Sequence, residues 1–475
     1  MCKAQQILLC GKKPRFHLFL GAFLLIGLGG TASLQAQTTT WTGNGADDNW
    51  FTNANWNPSV APILTTSSVT MNTASPTILN GSININSLTT STGGVLQFNS
   101  STNLDFGGAA ITTLNNVGVI AVGNQCRLEL SGTANNSGSI ALNDTVGGAS
   151  SSALFVEAGS ATLTGGGIAT MSGTNALVHG NGGTSLFIAN QTIQGHGQIG
   201  AGTLRIYNQA GGIIHANSSG KTLTISTPYG FSNDGIIRAS NGGRLVLEDF
   251  EIVTGGSVEV LAGSEIMRSA YFTSAALVHV AAGGLLSSNS VLQIDPTGTL
   301  TGLGTVDGDV FVNGTLAPGD VVLGNLTGTL NLKEYPRLQS NSVFEVQIGS
   351  AADFDRIVVH NLFGSQLGSI SGTLDIELLN GFNPDSSDIF EILSRSGGGN
   401  TGFTGQFSNA MSGQTIMTSD ERGQFKVNYE FVSSGSSPIS TRVWLSNFQA
   451  IPEPGWSAVL MAGMLLAISF RRQRV

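Results

Sequence analysis

Few residues in this sequence could do chemistry, and they lie far apart. Gly195-His196-Gly197-Gln198-Ile199-Gly200 fits G-x-G-x-x-G, a pattern that seats a pyrophosphate where a helix begins. The residues that follow, Ala201-Gly202-Thr203-Leu204-Arg205-Ile206-Tyr207, read as a strand, so the hexapeptide is expected to be a turn. Gly220-Lys221-Thr222 imitates a phosphate loop, but His215 stands where that loop needs its earlier glycine. The histidines past residue 37 are His179, His196, His215, His279 and His360. None has zinc-ligand spacing. There is no G-x-S-x-G, hence no nucleophile elbow. Asp307 and Asp309 flank Gly308 and could touch Ca²⁺, but two carboxylates on a turn are weak grounds for a site. A polysaccharide lyase or hydrolase would need clustered acids with a basic neighbour. Asp144, Glu157, Asp234, Glu248 and Asp249 share no obvious face. The expectation is a protein that is no enzyme and has no catalytic, cofactor or metal site, with that carbohydrate-active enzyme as the remote alternative.

The elements that would have to position any site are read from composition and spacing. Charged residues are 10% of the 475, against ~25% in ordinary soluble domains, which excludes a coiled coil or helical bundle. The 65 glycines lack the one-in-three period of collagen. With 20 Lys+Arg against 29 Asp+Glu there is no basic footprint for nucleic acid. Apolar runs of three to five residues alternate with Gly, Asn, Ser and Thr clusters, which is strand-and-turn punctuation.

A degenerate repeat runs through the middle. Asn-x-Gly followed by an apolar strand occurs at Asn116-Val117-Gly118-Val119-Ile120, Asn136-Ser137-Gly138-Ser139-Ile140 and Asn233-Asp234-Gly235-Ile236-Ile237, with a longer form from Asn208 to Ile214. Gly118 to Gly138 is 20 residues, Gly212 to Gly235 is 23 and Gly235 to Gly256 is 21. A second strand follows half a repeat later, as in Arg127-Leu128-Glu129-Leu130 and Arg244-Leu245-Val246-Leu247. One such coil cannot bury its own apolar side, whereas stacked coils share a core. Residues 63–320 should therefore form roughly a dozen coils of a β-solenoid, a parallel β-helix with right-handed as the commoner form. Gly and Asn are expected to supply positive φ at the turns. Asn, Thr and Ser should bond up the stack, where like charges would repel. A string of antiparallel β-sandwiches is the alternative fold.

From about residue 298 the texture changes. Gly302-Leu303-Gly304-Thr305-Val306 leads to Asn313-Gly314-Thr315-Leu316-Ala317-Pro318-Gly319. This stretch resembles the autotransporter-like segment of passenger-type surface proteins. Residues 321–450 alternate more strongly, with more Phe and Asp, and are expected to form a C-terminal β-rich capping region, terminal coils passing into a sandwich-like cap over an otherwise unpaired strand edge. At the other end, three of the five Trp residues, Trp41, Trp50 and Trp56, fall within 37–62, which resembles the Trp-Asn-rich entry segment of exported solenoids. The indoles would either plug the first coil as an N-terminal cap or form a sugar-stacking platform. The second role would make the chain a glycan-binding module.

Both termini carry targeting patterns. Residues 1–36 have Lys3, Lys12, Lys13 and Arg15, then an apolar stretch and small residues, as in a secretory signal helix cleaved after Ala36. Residues 451–475 hold Pro452-Glu453-Pro454, an apolar stretch to Phe470, and Arg471, Arg472 and Arg474. The apolar stretch Gly455–Phe470 has 16 residues, ~24 Å as a helix, short of the ~30 Å hydrocarbon core. This tail resembles the PEP-CTERM sorting signal of Gram-negative bacteria. The resemblance implies processing near Pro-Glu-Pro by an exosortase, a bacterium that secretes exopolysaccharide, and a membrane anchor through the apolar helix before processing. The arginines would stay cytoplasmic and the body outside. Residues 37–450 carry 13 of the basic and 28 of the acidic residues, net −15, and a single cysteine, Cys126. That body cannot rely on an internal disulfide. The whole reads as an exported cell-surface or matrix protein, structural or adhesive, with exosortase, the secretion machinery and exopolysaccharide as partners.

Overall fold

Short alternating runs bounded by Gly and Asn become short strands, and the strands stack. The computed structural model describes residues 38–74, 76–99, 103–105, 113–143, 151–173, 175–248, 252–269, 271–289, 291–320, 324, 327–360, 367–396, 402–434 and 437–451. The chain is all-β and winds as a parallel β-solenoid, which rules out the string of antiparallel sandwiches. A typical coil has three strands: Thr192–Gly195, Gly197–Ile199 and Leu204–Asn208. They lie parallel to Ile213–Ala216, Thr222–Ser226 and Phe231–Asn233 of the next coil. One ladder contains 14 strands, which at ~4.8 Å per step makes a stack of roughly 60 Å. Among the described residues the one helical turn is the short 3-10 segment Asn53–Asn55, and no helix there is long and apolar enough to cross a membrane. The expected signal helix (1–36) and apolar C-terminal helix (455–470) lie outside the described residues.

Register explains the core. Ile193, Ile214, Ile237, Val258, Val278 and Leu300 are successive Cα partners, and none has exposed surface. Each such side chain gains ~1.5–3 kcal/mol from burial. The partners are 20 to 23 residues apart, the spacing of the repeat. The next steps, Leu300 to Leu316 to Phe344 to Leu374, are 16, 28 and 30 residues. Parallel stacking therefore continues well past residue 320, through Thr373–Leu378 and Phe403–Gly405. The change of texture near residue 298 marks a change in coil length, not the start of a separate sandwich. Antiparallel pairing gathers at the two ends: Thr38–Trp41 with Trp56–Asn57 at the first, and at the last Ser437–Ala450 with Phe390–Arg395, Phe403–Gly405 and Gly423–Ser434, which also pairs Thr415–Met417.

The repeat glycines work differently from expectation. Gly118, Gly138, Gly235 and Gly256 are absent from the positive-φ positions, which include Gly242, Gly263 and Gly283 in the tight turns. At Gly138 an added Cβ would sit 2.1 Å from the Gly118 carbonyl oxygen, and at Gly256 2.0 Å from that of Gly235. The same carbonyls accept the next coil's N–H: Ser139 N to Gly118 O is 2.9 Å and Ser257 N to Gly235 O is 2.9 Å. These positions require glycine because the coils approach too closely there for a side chain.

Two kinds of polar side chain enter the core. Thr90, Asn116 and Asn136 occupy stacked positions and are fully buried. Thr90 Oγ1 donates to Asn116 Oδ1 (2.5 Å), Asn116 Nδ2 to Asn136 Oδ1 (2.6 Å) and Asn136 Nδ2 to Gln191 Oε1 (2.8 Å). Asn208 Nδ2 donates likewise to Asn233 Oδ1 at 2.6 Å. The repeat asparagines do bond up the stack, as expected, and they do so inside it. Arg268 is the other kind. It follows Ile199, Ile225 and Leu247 in an apolar ladder and is 1% exposed. Its guanidinium lies 4.7 Å from the Phe272 ring centre, and Nη1 donates to Val291 O at 3.4 Å. Nε and Nη2 are buried with no hydrogen-bond partner. Burial pushes its pKa down to about 9, so the charge is still present at neutral pH.

Candidate functional site

The strand Arg127–Asn136 sends Leu128 and Leu130 into the core, which turns Arg127 and Glu129 outward on one face. Register places Phe155 beside Glu129 and His179 beside Phe155. Arg127 is paired with Glu129, and its guanidinium lies 4.8 Å from the centre of the Phe155 ring. That ring meets His179 edge-on at 4.8 Å. Burial, and then the charge of Arg127, hold the His179 imidazole below its ordinary pKa, so it is neutral at pH 7.

A cleft of about 510 Å³ opens over this face. Ser82, Ile83 and Asn84 line it from an earlier coil, Arg127, Glu129 and Glu157 from later ones, and Phe51 and Ile63 from the N-terminal segment. That segment is tightly tied. The buried Asn55 Nδ2 donates to Asp47 O (2.8 Å) and Asn49 O (3.1 Å), and Phe51 N donates to Asn49 Oδ1 (3.0 Å). The Phe51 ring rests on Gly81, where a Cβ would stand 3.0 Å from its carbons. Ala61 N donates to Asn53 Oδ1 at 3.0 Å, and Trp50 Nε1 to Pro62 O at 3.0 Å, which fixes the neighbouring Ile63.

The tryptophan platform is not what the residues form. Trp41, Trp50 and Trp56 are 1%, 0% and 1% exposed. Their rings meet edge to face, Trp41 to Trp56 at 4.9 Å and Trp50 to Trp56 at 4.7 Å, and Trp56 Nε1 donates to Trp50 O at 2.6 Å. Trp41 is the register partner of Met71, an interior position. Burying indoles there removes more apolar area than exposing them, and it leaves no ring face for a sugar. The exposed aromatic is the next residue, Phe51, at 39%.

Other sequence candidates separate. Gly195, Gly197 and Gly200 each face a neighbouring coil's carbonyl, 1.9 to 2.3 Å from a built Cβ, and strand Leu204–Asn208 follows them, so the hexapeptide is a stacking turn. Asp307 is taken by Lys333 at 2.6 Å. His196 and His215 bond Ser218 and Ser240 of the next coil at 3.1 and 2.7 Å. Glu157 lines the cleft and Asp234 and Glu248 do not; Asp144 and Asp249 are outside the described residues, as are Ala36, Pro452, Glu453, Pro454, Arg471, Arg472 and Arg474.

A second charged group lies on another face. Arg238, Glu259 and His279 are successive register partners. Arg238 Nη2 is 2.7 Å from Glu259 Oε2, and His279 Nε2 is 3.0 Å from Asp320 Oδ1. His279 has no exposed surface and Asp320 is 2% exposed, so this pair faces no ligand. Among the described residues no three His, Cys, Asp or Glu side chains converge to hold a metal.

Sequence reasoning missed the cleft. Its residues have no common spacing and meet only through the coil register. No family model and no curated protein matches the chain.

Proposed function

We propose that the chain is an exported surface or matrix protein with a structural or adhesive role, sorted by its C-terminal tail in a bacterium that secretes exopolysaccharide. The carrying observation is the outer surface of the stack. Amide and hydroxyl side chains line up there from coil to coil: Thr89, Asn115 and Asn135 in register, and Gln194, Asn217 and Asn241, where Asn217 Nδ2 donates to Gln194 Oε1 (3.2 Å) and Asn241 Nδ2 to Asn217 O (3.2 Å). Such rows offer donors and acceptors to hydroxyl-rich polymer at ~4.8 Å intervals. In this reading the hand is right-handed and no reaction is catalysed. Segment 37–62 plugs the first coil, and the final antiparallel strands close the last one, so that neither end invites edge-to-edge pairing.

The signal at 1–36 directs export with cleavage after Ala36. The tail holds the precursor in the membrane until exosortase acts near Pro452-Glu453-Pro454. Replacing these three residues by alanine tests the sorting step. The precursor is expected to stay in the membrane fraction, read by fractionation and surface labelling. Unchanged surface display overturns the proposal.

A further inference from the structure

We infer that the cleft between Phe51 and Glu157 is a binding site for an uncharged sugar segment of an extracellular polysaccharide. The inference deepens the adhesive reading above and relies on it only for the source of the sugar. One wall is apolar and partly open: Phe51 is 39% exposed and Ile63 53%. The opposite wall is polar, formed by Asn84, Arg127, Glu129 and Glu157. A pyranose has the same division, with C–H groups on its faces and hydroxyls at its edge. An aromatic ring supports the first, and carboxylate and amide oxygens accept from the second. At about 510 Å³ the cleft falls in the ~300–1,000 Å³ range of small-molecule sites.

The charges exclude acidic sugars. Arg127 is committed twice, to Glu129 and to the face of Phe155. The Glu157 carboxylate has no partner among the described residues; only its backbone carbonyl is engaged, by Asn181 Nδ2. The cleft therefore presents a free carboxylate and no free cation, within a body of net charge −15. Acidic sugars are repelled by that field. The walls are preformed: Phe51 is held by Asn49 and Gly81, and Ile63 through Trp50 and Pro62. Binding thus needs little ordering of the protein.

The test is calorimetric titration of the full-length chain with three sets of hexasaccharides: neutral glucans and mannans, polyuronates, and amine-bearing glucosamine polymers. At least one neutral set is expected to bind, with the polyuronates failing. Phe51→Ala and Glu157→Gln, both at solvent-accessible positions, should each weaken that binding about tenfold or more without moving the thermal midpoint. The inference is overturned if no neutral set binds, if both variants bind as the parent does, or if uronates or amines bind more tightly. Failure of the Pro-Glu-Pro substitution would leave this binding intact, so the two readings fail separately.

Discussion

The stack admits polar side chains at Asn136 and at Arg268, and it treats them in opposite ways. Asn136 is one member of a run that begins at Thr90 and ends at Gln191: Asn116 lies between the Thr90 hydroxyl and Asn136, and Asn136 between Asn116 and Gln191. Arg268 follows a ladder of Ile and Leu and precedes Ser288, with Nε and Nη2 unmet. The difference teaches how a parallel solenoid tolerates polarity. A group that repeats from coil to coil finds its partner one step away, because stacking places like on like. A group that occurs once has no like partner in register; Arg268 keeps one bond, to Val291 O, and leaves two of its nitrogens desolvated and unmet.

One substitution made at both places breaks or sharpens this contrast. Asn136→Leu leaves Gln191 Oε1 buried without its donor and takes one of two acceptors from Asn116 Nδ2, which keeps Ser139 O. At ~1–3 kcal/mol per orphaned group, the expected loss is about 2 kcal/mol of unfolding free energy. Denaturant unfolding reads it directly. Equal or greater stability for this variant would mean that the internal amide run does not support the fold.

At Arg268 the same new side chain should act in the other direction. Leu247 already fills the equivalent position one coil earlier, so a leucine has a packing precedent. Replacing buried charge by well-packed apolar groups is neutral to stabilising by ~1–4 kcal/mol. Arg268→Leu is expected to gain about 2 kcal/mol, less the ~1 kcal/mol scale of the Phe272 contact. A loss of stability would show that the guanidinium is satisfied after all, and the contrast with Asn136 would disappear.

The same logic accounts for what could be read from the sequence. The Asn-x-Gly element was legible because its 20–23 residue spacing is the coil itself. The role of its glycine was not. Positive φ is a local property that composition suggests, whereas the Gly118 carbonyl lying where a Gly138 Cβ would be is a contact between coils. The extent of the coils after 320 is not legible, because steps of 28 and 30 residues erase the period while keeping the register. Trp50 attracted attention for its chemistry, but a large apolar ring is also what an interior selects, and Phe51 beside it supplies the exposed face. The cleft gathers side chains from position 51 to position 157, and no spacing rule connects them until the coils are stacked. Arg268 ends the alternating run Glu265-Ile266-Met267-Arg268, whose burial pattern places it inward. Nothing in its own sequence neighbourhood marks the charge as buried.

The smallest expected effect isolates burial from chemistry. Asn135 and Asn115 are stacked partners like Asn136 and Asn116, in the same two coils and one residue away. Because strand side chains alternate, this pair points outward, and Asn135 Nδ2 reaches Asn115 Oδ1 at 3.4 Å in an exposed setting. Water can replace either partner there, so the bond is an exchange of nearly equal terms. Asn135→Ala is expected to change unfolding free energy by less than about 0.5 kcal/mol, measured beside Asn136→Leu under the same conditions. A loss approaching that of the interior variant would move the stabilising role from the dry interior to the ladder as such. The outer amide rows would then hold the coils together as well as facing the matrix.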